Sequence, residues 1–349
     1  MPRPLRCLLL GEELLVSRCA EVLRERGHTI AGIVTRSPAV RRWAEDAGVP
    51  VVERAEYPGV LEREPVDVLL SITHPALIAP EVIRKARLAA VNYHDGPLPR
   101  YAGMNGSAWA ILNGEASHAL VWHHITAGLD EGDILERRDY ALDPRETSVS
   151  LNVKNAALAL ESFQAVVHRL ETGKLEGTPQ RTDVERLVFS RHDRPAALAI
   201  LDFARPAAEL DRIVRACDFG PYANRFGAAK VLHGDRAVIV RESAVTDEHG
   251  TPGTVLGVGA SGIDIATGAG CLRVLRATTL AGKALTLEEA ASLLGIAPGT
   301  VLDGARRAAC APLSRALAEV EPASVAALSR RAPLQLSLDG ITDSVSAVP

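Results

Sequence analysis

The stretch VNYHDGPLPRYAG, Val91–Gly103, follows an apolar run and places an amide, an imidazole and a carboxylate within four residues. The segment LAAVNYH, which ends at His94, has the composition of a buried strand, and prolines and glycines then turn the chain. Open α/β sheets bind their ligands beyond the carboxyl ends of their strands. We therefore expect a functional site at this turn.

The residues around this strand alternate short apolar runs with helix-period stretches, which is typical of βαβ units. CLLL, TIAGIVT and VDVLLSI precede it, ALVWHHIT follows it, and an amphipathic helix is predicted over residues 149–172. The pattern predicts an α/β fold for residues 1–180, with a Rossmann-like parallel sheet. The strand candidates that carry the two polar clusters of this domain should be neighbours.

The second half of the chain has a different texture. A short helix is predicted from Pro206 to Cys217, and brief β-like runs separated by Gly, Pro and Asp follow it. This rhythm predicts a small antiparallel, OB-like β-barrel over residues 206–300. Residues 181–205 are predicted to be a linker, and residues 301–349, rich in Ala, Ser and Leu, a helical or disordered tail or an inter-domain linker.

Composition limits the classes of partner. The 349 residues exceed one ordinary domain of ~100–200 residues. A net charge of −4 supplies no positive field for nucleic acid, so we expect no DNA partner and consider a tRNA partner disfavoured. The five cysteines form no C-x-x-C pair, and neither a signal peptide nor a membrane span is apparent. We expect a cytoplasmic protein with reduced thiols, no metal and no membrane contact.

Several common catalytic motifs are missing. The first strand is followed by GEELLVS in place of G-x-G-x-x-G, and P-loop, G-x-S-x-G and H-E-x-x-H patterns do not occur. Asn92, His94 and the acidic LDEGD segment, with Asp130 and Asp133, remain. Singly, each is typical of a turn or a cap. Together they suit addition to a carbonyl, in which an amide and an imidazolium stabilise an oxyanion and a carboxylate orients the ring. Without an adjacent Ser or Cys nucleophile, a substrate group would attack directly.

The spacing of these residues resembles a known family. The pattern N-x-H-x-x-x-L-P is followed by a glycine and then by HHITAGLDEGDI, and its members are Asn92, His94, Leu98, Pro99 and Gly103. This pattern resembles the formyltransferases that use 10-formyltetrahydrofolate, and the likeness runs through residues 6–180. RACDFGPYANRF and TPGTVL resemble the barrel-like C-terminal domain of the tRNA-type members.

The resemblance implies roles for individual residues. Asn92 and protonated His94 would hold the tetrahedral oxyanion, and Asp130 would keep His94 charged and help to move the proton. The implied contacts of the folate donor are Gly96, Pro97, Leu98, Pro99, Thr126, Gly128, Leu129 and Asp133. The residues expected to bind the acceptor are Gly103, Asn105 and His123. For Gly96, Pro97 and Gly128, ordinary turn chemistry is an equal alternative.

The identity of the acceptor amine is open. The chain lacks the glycine-rich loop of purine-pathway members and the long basic insertion of the tRNA enzymes, since only Arg36, Arg41 and Arg42 occur after the second strand. NYHDGPLPRYAG, WAILNGE and VWHH resemble most the formylation domains of nonribosomal peptide synthetases, which act on an aminoacyl group carried on phosphopantetheine. The alternatives are an amino sugar, hydroxyornithine or a related small amine, and a non-catalytic module that docks a carrier protein.

Overall fold

The computed structural model describes residues 3–222 and 224–302. The chain divides into two compact units, Met1–Arg191 and His192–Pro349. The tail predicted from residue 301 onward lies almost wholly outside the described residues, as does Cys310. The other four cysteines are buried.

A seven-stranded sheet forms the centre of the first unit. Its strands are β1 (Arg6–Leu10), β2 (Thr29–Val34), β3 (Val51–Val52), β4 (Val66–Ile72), β5 (Ala86–His94), β7 (Ser117–His124) and β8 (Ile134–Ala141), in the order β3-β2-β1-β4-β5-β7-β8. The short strands β6 (Tyr101–Gly103) and β9 (Leu187–Phe189) pair separately in parallel. The helices are α1 (Leu14–Glu25), α2 (Pro38–Asp46), α3 (Tyr57–Arg63), α4 (Pro80–Ile83), α5 (Gly106–Asn113) and α6 (Ser148–Thr172).

The apolar runs of the sequence become central strands because helices cover both sheet faces. One hydrophobic cluster joins α1 and α6 to one face and includes Trp122 and Phe163, both fully buried. A second cluster, with Leu8 and Leu69, packs α3 and α4 against the other face. Thr147 and Ser150 form a reciprocal capping box at the start of α6, and Gly173 in a left-handed conformation ends this helix.

The predicted α/β fold class is confirmed, with one change in strand direction. Strands β1 to β5 run parallel, whereas β7 and β8 run antiparallel to their neighbours. Strand β8 was not predicted from the sequence, because ILERRDYA mixes charged residues with few apolar ones on this half-exposed edge strand. Parallel sheets often carry such antiparallel strands at one edge.

The second unit contains a six-stranded antiparallel sheet, which confirms the predicted strand arrangement. Its elements are α7 (Ala207–Ala216), β10 (Lys230–His233), β11 (Arg236–Thr246), β12 (Val255–Gly259), β13 (Gly262–Ala266), β14 (Cys271–Thr278), β15 (Ala284–Leu285) and α8 (Leu287–Leu294). The order is β10-β11-β14-β13-β12, and β15 pairs with β14. No helix among the described residues is both long and apolar enough to cross a bilayer.

The segment predicted to be a linker, residues 181–205, contains regular structure in both units. In the first unit it supplies β9, which pairs with β6 beside the turn after β5. In the second unit a 3₁₀ turn spans Ala196–Ala199, and Ile200 forms a bridge with Lys230.

Candidate active site

Asn92 and His94 lie on the same face of β5 at its carboxyl end. Their spacing of two residues fixes this, since side chains alternate between the faces of a strand. Asn92 is opposite His123 of β7 in the antiparallel register. The Nδ2 atom of Asn92 lies 3.1 Å from Nε2 of His123, so the amide donates to this ring nitrogen.

The His94 ring is held at both nitrogens. Its Nε2–H donates to the backbone carbonyl of Tyr101 at 2.5 Å, and Nδ1 lies 3.6 Å from Oδ2 of Asp130. The side chain is only 5% exposed. The hydroxyl of Tyr101 in turn donates to Glu115 at 2.6 Å, so the carbonyl that receives His94 belongs to a fixed residue.

Gly96 leaves room for this arrangement. A Cβ atom at this position would lie 2.8 Å from Nε2 of His94 and 2.8 Å from the carbonyl oxygen of Tyr101. Both distances are shorter than a Cβ contact can be, so only glycine allows the turn to pass so close to the ring. The requirement for glycine therefore comes from the protein's own contacts.

Asp130 lies between the two histidines. Its Oδ1 is 3.5 Å from Nε2 of His123, and its Oδ2 accepts a hydrogen bond of 2.8 Å from the backbone N–H of Gly103. Burial opposes ionisation, but the charge of His94, the neighbouring His123 ring and the hydrogen bond from the Gly103 N–H outweigh it. They hold the pKa of Asp130 well below its usual range. The site therefore contains a fixed carboxylate beside the His94 ring.

Two side chains from the polar segment after α6 hold the loop that carries Asp130. Nε2 of Gln180 donates to the carbonyls of Asp130 and Gly132 at 2.7 and 2.9 Å, and the guanidinium of Arg186 donates to the carbonyl of Leu129. Asp130 itself has a φ of 50°, an uncommon left-handed conformation that these bonds support. Gln180 and Arg186 were not predicted from the sequence, because isolated polar residues in a polar segment carry no pattern.

Replacing Gln180 by Ala should lower kcat about tenfold, which corresponds to about 1.4 kcal/mol of transition-state stabilisation. The change removes both donors from the Asp130 loop, so the carboxylate is less well positioned. Gln180→Glu should cost more, because it puts carboxylate oxygens against the same carbonyls. Steady-state kinetics would test this, with Gln164→Ala on α6 as the control. Wild-type kcat in both Gln180 variants would contradict it.

The other predicted site residues lie at varying distances from this network. Gly103 donates to Asp130, and Asn105 is the N-cap of α5 in a left-handed conformation. Leu98 is buried against Ala102 and Val121, and its carbonyl accepts from Arg137 at 3.0 Å. The remaining predicted residues are in the two turns, and within the described part of the chain none forms a side-chain hydrogen bond or ion pair with Asn92, His94 or Asp130: Pro97, Pro99, Thr126, Gly128, Leu129 and Asp133.

A buried polar chain fixes Asp95, the residue after His94. Ser107 donates to the Asp95 carboxylate at 3.3 Å, Nδ2 of Asn155 donates to Ser107 at 2.9 Å, and the Tyr140 hydroxyl donates to Asn155. Nε2 of His118 donates to the backbone carbonyl of Asp95 at 2.8 Å. This chain ties the turn after β5 to α5, β7, β8 and α6.

Replacing Asn155 by Leu should lower the free energy of unfolding by about 1–3 kcal/mol, because the half-buried Tyr140 hydroxyl loses its acceptor. Adding Tyr140→Phe removes that hydroxyl, so the double variant should recover part of the loss. Urea titrations of the single and double variants would measure this effect. Equal stability of the single variant and the wild type would contradict the importance of the buried chain.

The arrangement of Asn92, His94 and Asp130 suits one kind of chemistry. The amide of Asn92 uses one N–H on His123 and keeps a second for a carbonyl oxygen. Both nitrogens of His94 face protein atoms, so this ring contributes mainly its charge and its proton. An amide donor next to an ionisable ring and a fixed carboxylate suits stabilisation of a tetrahedral oxyanion.

Comparison with known proteins identifies the family. Residues 13–170 match the model of the formyl transferase family, and residues 195–293 match the model of the formyl transferase C-terminal domain. A methionyl-tRNA formyltransferase of Burkholderia pseudomallei is 32% identical over 285 residues, which are 80% of this chain and 81% of that protein. The chain belongs to the formyltransferase family. The family resemblance found in the sequence is thereby confirmed.

Solved structures share the fold of this formyltransferase. A crystal structure of HypX from Aquifex aeolicus in complex with tetrahydrofolic acid has a TM-score of 0.60 and 20% identity, and covers 83% of this chain and 47% of HypX. An N-formyltransferase from Helicobacter canadensis, in complex with folinic acid and dTDP-3-aminofucose, has a TM-score of 0.62 and 15% identity. It covers 78% of this chain and 99% of that chain. The closer likeness to peptide synthetase formylation domains stays a prediction.

Proposed function

We propose that this formyltransferase moves a formyl group from 10-formyltetrahydrofolate to a primary amine, with Asn92, His94 and Asp130 as the catalytic set. The observation that carries the proposal is that the structure brings these side chains together: Nδ1 of His94 lies 3.6 Å from Oδ2 of Asp130, and Asn92 shares a strand face with His94. The tetrahydrofolic acid in HypX and the folinic acid in the Helicobacter enzyme support a folate donor.

In the proposed reaction the lone pair of the amine attacks the formyl carbon, and the carbonyl oxygen becomes an oxyanion. The free N–H of Asn92 donates to this oxygen, and the charge of His94 stabilises it. The bond from the formyl carbon to N10 of the folate then breaks. The amine loses one proton and N10 gains one, so the products are an N-formyl amine and tetrahydrofolate. The His94–Asp130 pair is suited to transfer this proton.

For the acceptor, we propose an aminoacyl group carried on the phosphopantetheine of a carrier protein. The charge balance supports this over tRNA, since the chain has a net charge of −4. The few arginines after β2 are also partly neutralised: Arg36 pairs with Glu12 at 3.1 Å, and Arg41 pairs with Glu53 at 2.7 Å. With a net charge of −4 the chain is only weakly acidic, so it would repel a neutral or acidic carrier protein less than a strongly acidic chain would. Binding such a carrier would also not require a row of basic side chains.

Methionyl-tRNA is the second candidate acceptor. The Burkholderia relative bears that name, and its match extends over both domain types of this chain. An amino sugar is supported only by the name of the Helicobacter ligand, at 15% identity. Both alternatives keep the same chemistry at the amine, since each presents a primary amino group to the formyl carbon.

Intact-mass analysis tests the proposal. The protein would be incubated with 10-formyltetrahydrofolate and aminoacyl-loaded carrier proteins, methionyl-tRNA, free amino acids, hydroxyornithine or nucleotide-linked amino sugars. We expect a gain of one formyl group on the carrier-bound amino acid. A gain on tRNA or a sugar alone would reject the carrier but keep the reaction. Folate binding without formylation of any acceptor would favour the docking module.

A further inference from the structure

We propose that His123 is a positioning residue, which orients the Asn92 amide for the formyl oxygen and does not itself contact the acceptor. The inference rests on the proposed function, because it concerns the donor that faces the oxyanion. Its basis is geometric. His123 lies directly opposite Asn92 in the β5–β7 pair, and its side chain is only 2% exposed. A ring so enclosed has almost no surface for a substrate.

The hydrogen bonds of His123 define its tautomer. Nδ1 lies 2.8 Å from the backbone carbonyl of His124, which can only accept, so Nδ1 carries the proton. In the neutral ring Nε2 is then an acceptor, and Nδ2 of Asn92 lies 3.1 Å from it. The other neighbour of Nε2 is Oδ1 of Asp130, at 3.5 Å. The carbonyl of His124 thus determines which nitrogen of the ring is presented to the site.

This arrangement selects one orientation of the Asn92 amide. With its NH₂ group toward His123, one hydrogen is bound to Nε2 and the second is free to point at substrate. Turning the amide over would place Oδ1 against the lone pair of Nε2, and two acceptors repel. A preorganised donor costs no reorientation when the oxyanion forms. Without an acceptor at position 123 the Asn92 amide could rotate by half a turn. Its N–H would then point away from the formyl oxygen for part of the time.

The test compares side chains that keep or lose this acceptor. His123→Gln can extend its amide oxygen to the region of Nε2, whereas Asn reaches only the region of Nδ1 and Leu offers no acceptor. We expect the Asn and Leu variants to lower kcat about 10²-fold, the order of loss for a misplaced catalytic group, with unchanged KM for the folate. The Gln variant should stay within about tenfold of wild type. His168→Gln, which changes an exposed histidine on α6, is the control.

A double-mutant cycle separates positioning from a direct substrate contact. If His123 acts through Asn92, adding His123→Leu to Asn92→Ala should cause no further loss of kcat. Multiplicative losses, a raised KM for the amine with unchanged kcat, or wild-type rates in the Leu and Asn variants would each overturn the inference. Thermal unfolding would establish that the variants fold. If one of the two His123 variants, Asn or Leu, does not fold, the other can be used in the cycle. A wild-type protein without formyl transfer would instead reject the proposed function.

Discussion

Replacement of Asp130 by Asn is expected to lower kcat for formyl transfer by about 10²–10⁴-fold, the usual contribution of proton transfer by a positioned group. Asn has the same shape and can still accept the hydrogen bond from the Gly103 N–H. It removes the negative charge next to His94 and the partner that the proton would pass to. The KM for the folate and the thermal unfolding temperature should change little. Rapid-quench or steady-state kinetics would measure the loss.

The pH dependence of stability and rate provides a second test of the role of the Asp130 carboxylate. The pKa of Asp130 is lowered in the folded protein, so its ionised form stabilises the fold above the ordinary pKa of about 3.9. That contribution is lost only as the pH falls through the lower, folded pKa. The wild-type rate should therefore show no acid limb from Asp130 above about pH 4. Asp183→Asn, at an exposed pair with Arg181, is the matched control. Equal kcat for Asp130→Asn and wild type would contradict the assigned role.

Replacement of Gly96 by Ala is expected to lower kcat about 10²-fold or more, because a displacement of about 1 Å in a catalytic group has this effect. The new methyl group would meet His94 and the Tyr101 carbonyl at 2.8 Å each. Tyr101 is fully buried and its hydroxyl is bonded to Glu115, so it cannot yield easily. The His94 ring must turn away and lose its bond to the carbonyl. Kinetics and a crystal structure of the variant would test this displacement.

Gly59→Ala provides the control for a glycine-to-alanine change. A Cβ atom at Gly59 has no neighbour within 4 Å, and the residue lies in α3. Alanine favours a helix more than glycine does, so this variant should keep wild-type kcat and gain slightly in stability. A Gly96→Ala enzyme as active as the Gly59→Ala enzyme would show that the space beside His94 is not needed.

The sequence was sufficient for the parts of the site that lie on one strand. Asn92 and His94 alternate with apolar residues on β5 and precede a Pro/Gly turn, so their common face and position follow from strand geometry. Asp130 comes to the site in a different way. The strands with the two polar clusters were expected to be neighbours in a parallel sheet; they are neighbours, but β7 is antiparallel to β5. Asp130 reaches the site through the loop after β7.

The loop shows why its supporting contacts could not be predicted. Gln180 and Arg186 come from a polar segment about fifty residues later in the sequence. They donate to backbone carbonyls, and a backbone group cannot be recognised from the residue types in a sequence. Gly128 was predicted to contact the folate or to serve an ordinary turn, and Gly132 was given no role. A Cβ at Gly132 would in fact lie 1.8 Å from the carbonyl of His124, so the strand behind the loop also requires this glycine. Such requirements depend on tertiary packing rather than on local pattern.

The residues predicted to bind the acceptor were chosen from the family resemblance alone. In the structure two of them, Gly103 and His123, are surrounded by other parts of the protein. Gly103 has a φ of 93°, and a Cβ there would lie 2.1 Å from the carbonyl of Phe189. Its N–H is already bonded to Asp130, so a role in the catalytic network is better supported than a contact with the amine. His123 is similarly enclosed. Burial distinguishes residues that contact a substrate from residues that position the substrate-contacting side chains. The spacing of residues in a sequence does not report burial.

The central claim is that Asn92, His94 and Asp130 transfer a formyl group from 10-formyltetrahydrofolate to an amine. The most direct test uses a donor with ¹³C at the formyl carbon and follows that carbon by NMR across the acceptor panel, for the wild type, Asn92→Ala and Asp130→Asn. We predict that the label moves from the folate to an N-formyl product with the wild type and stays on the folate, over the same time, with both variants. Transfer at equal rates by all three proteins, or retention of the label on the folate with every acceptor, would contradict the claim.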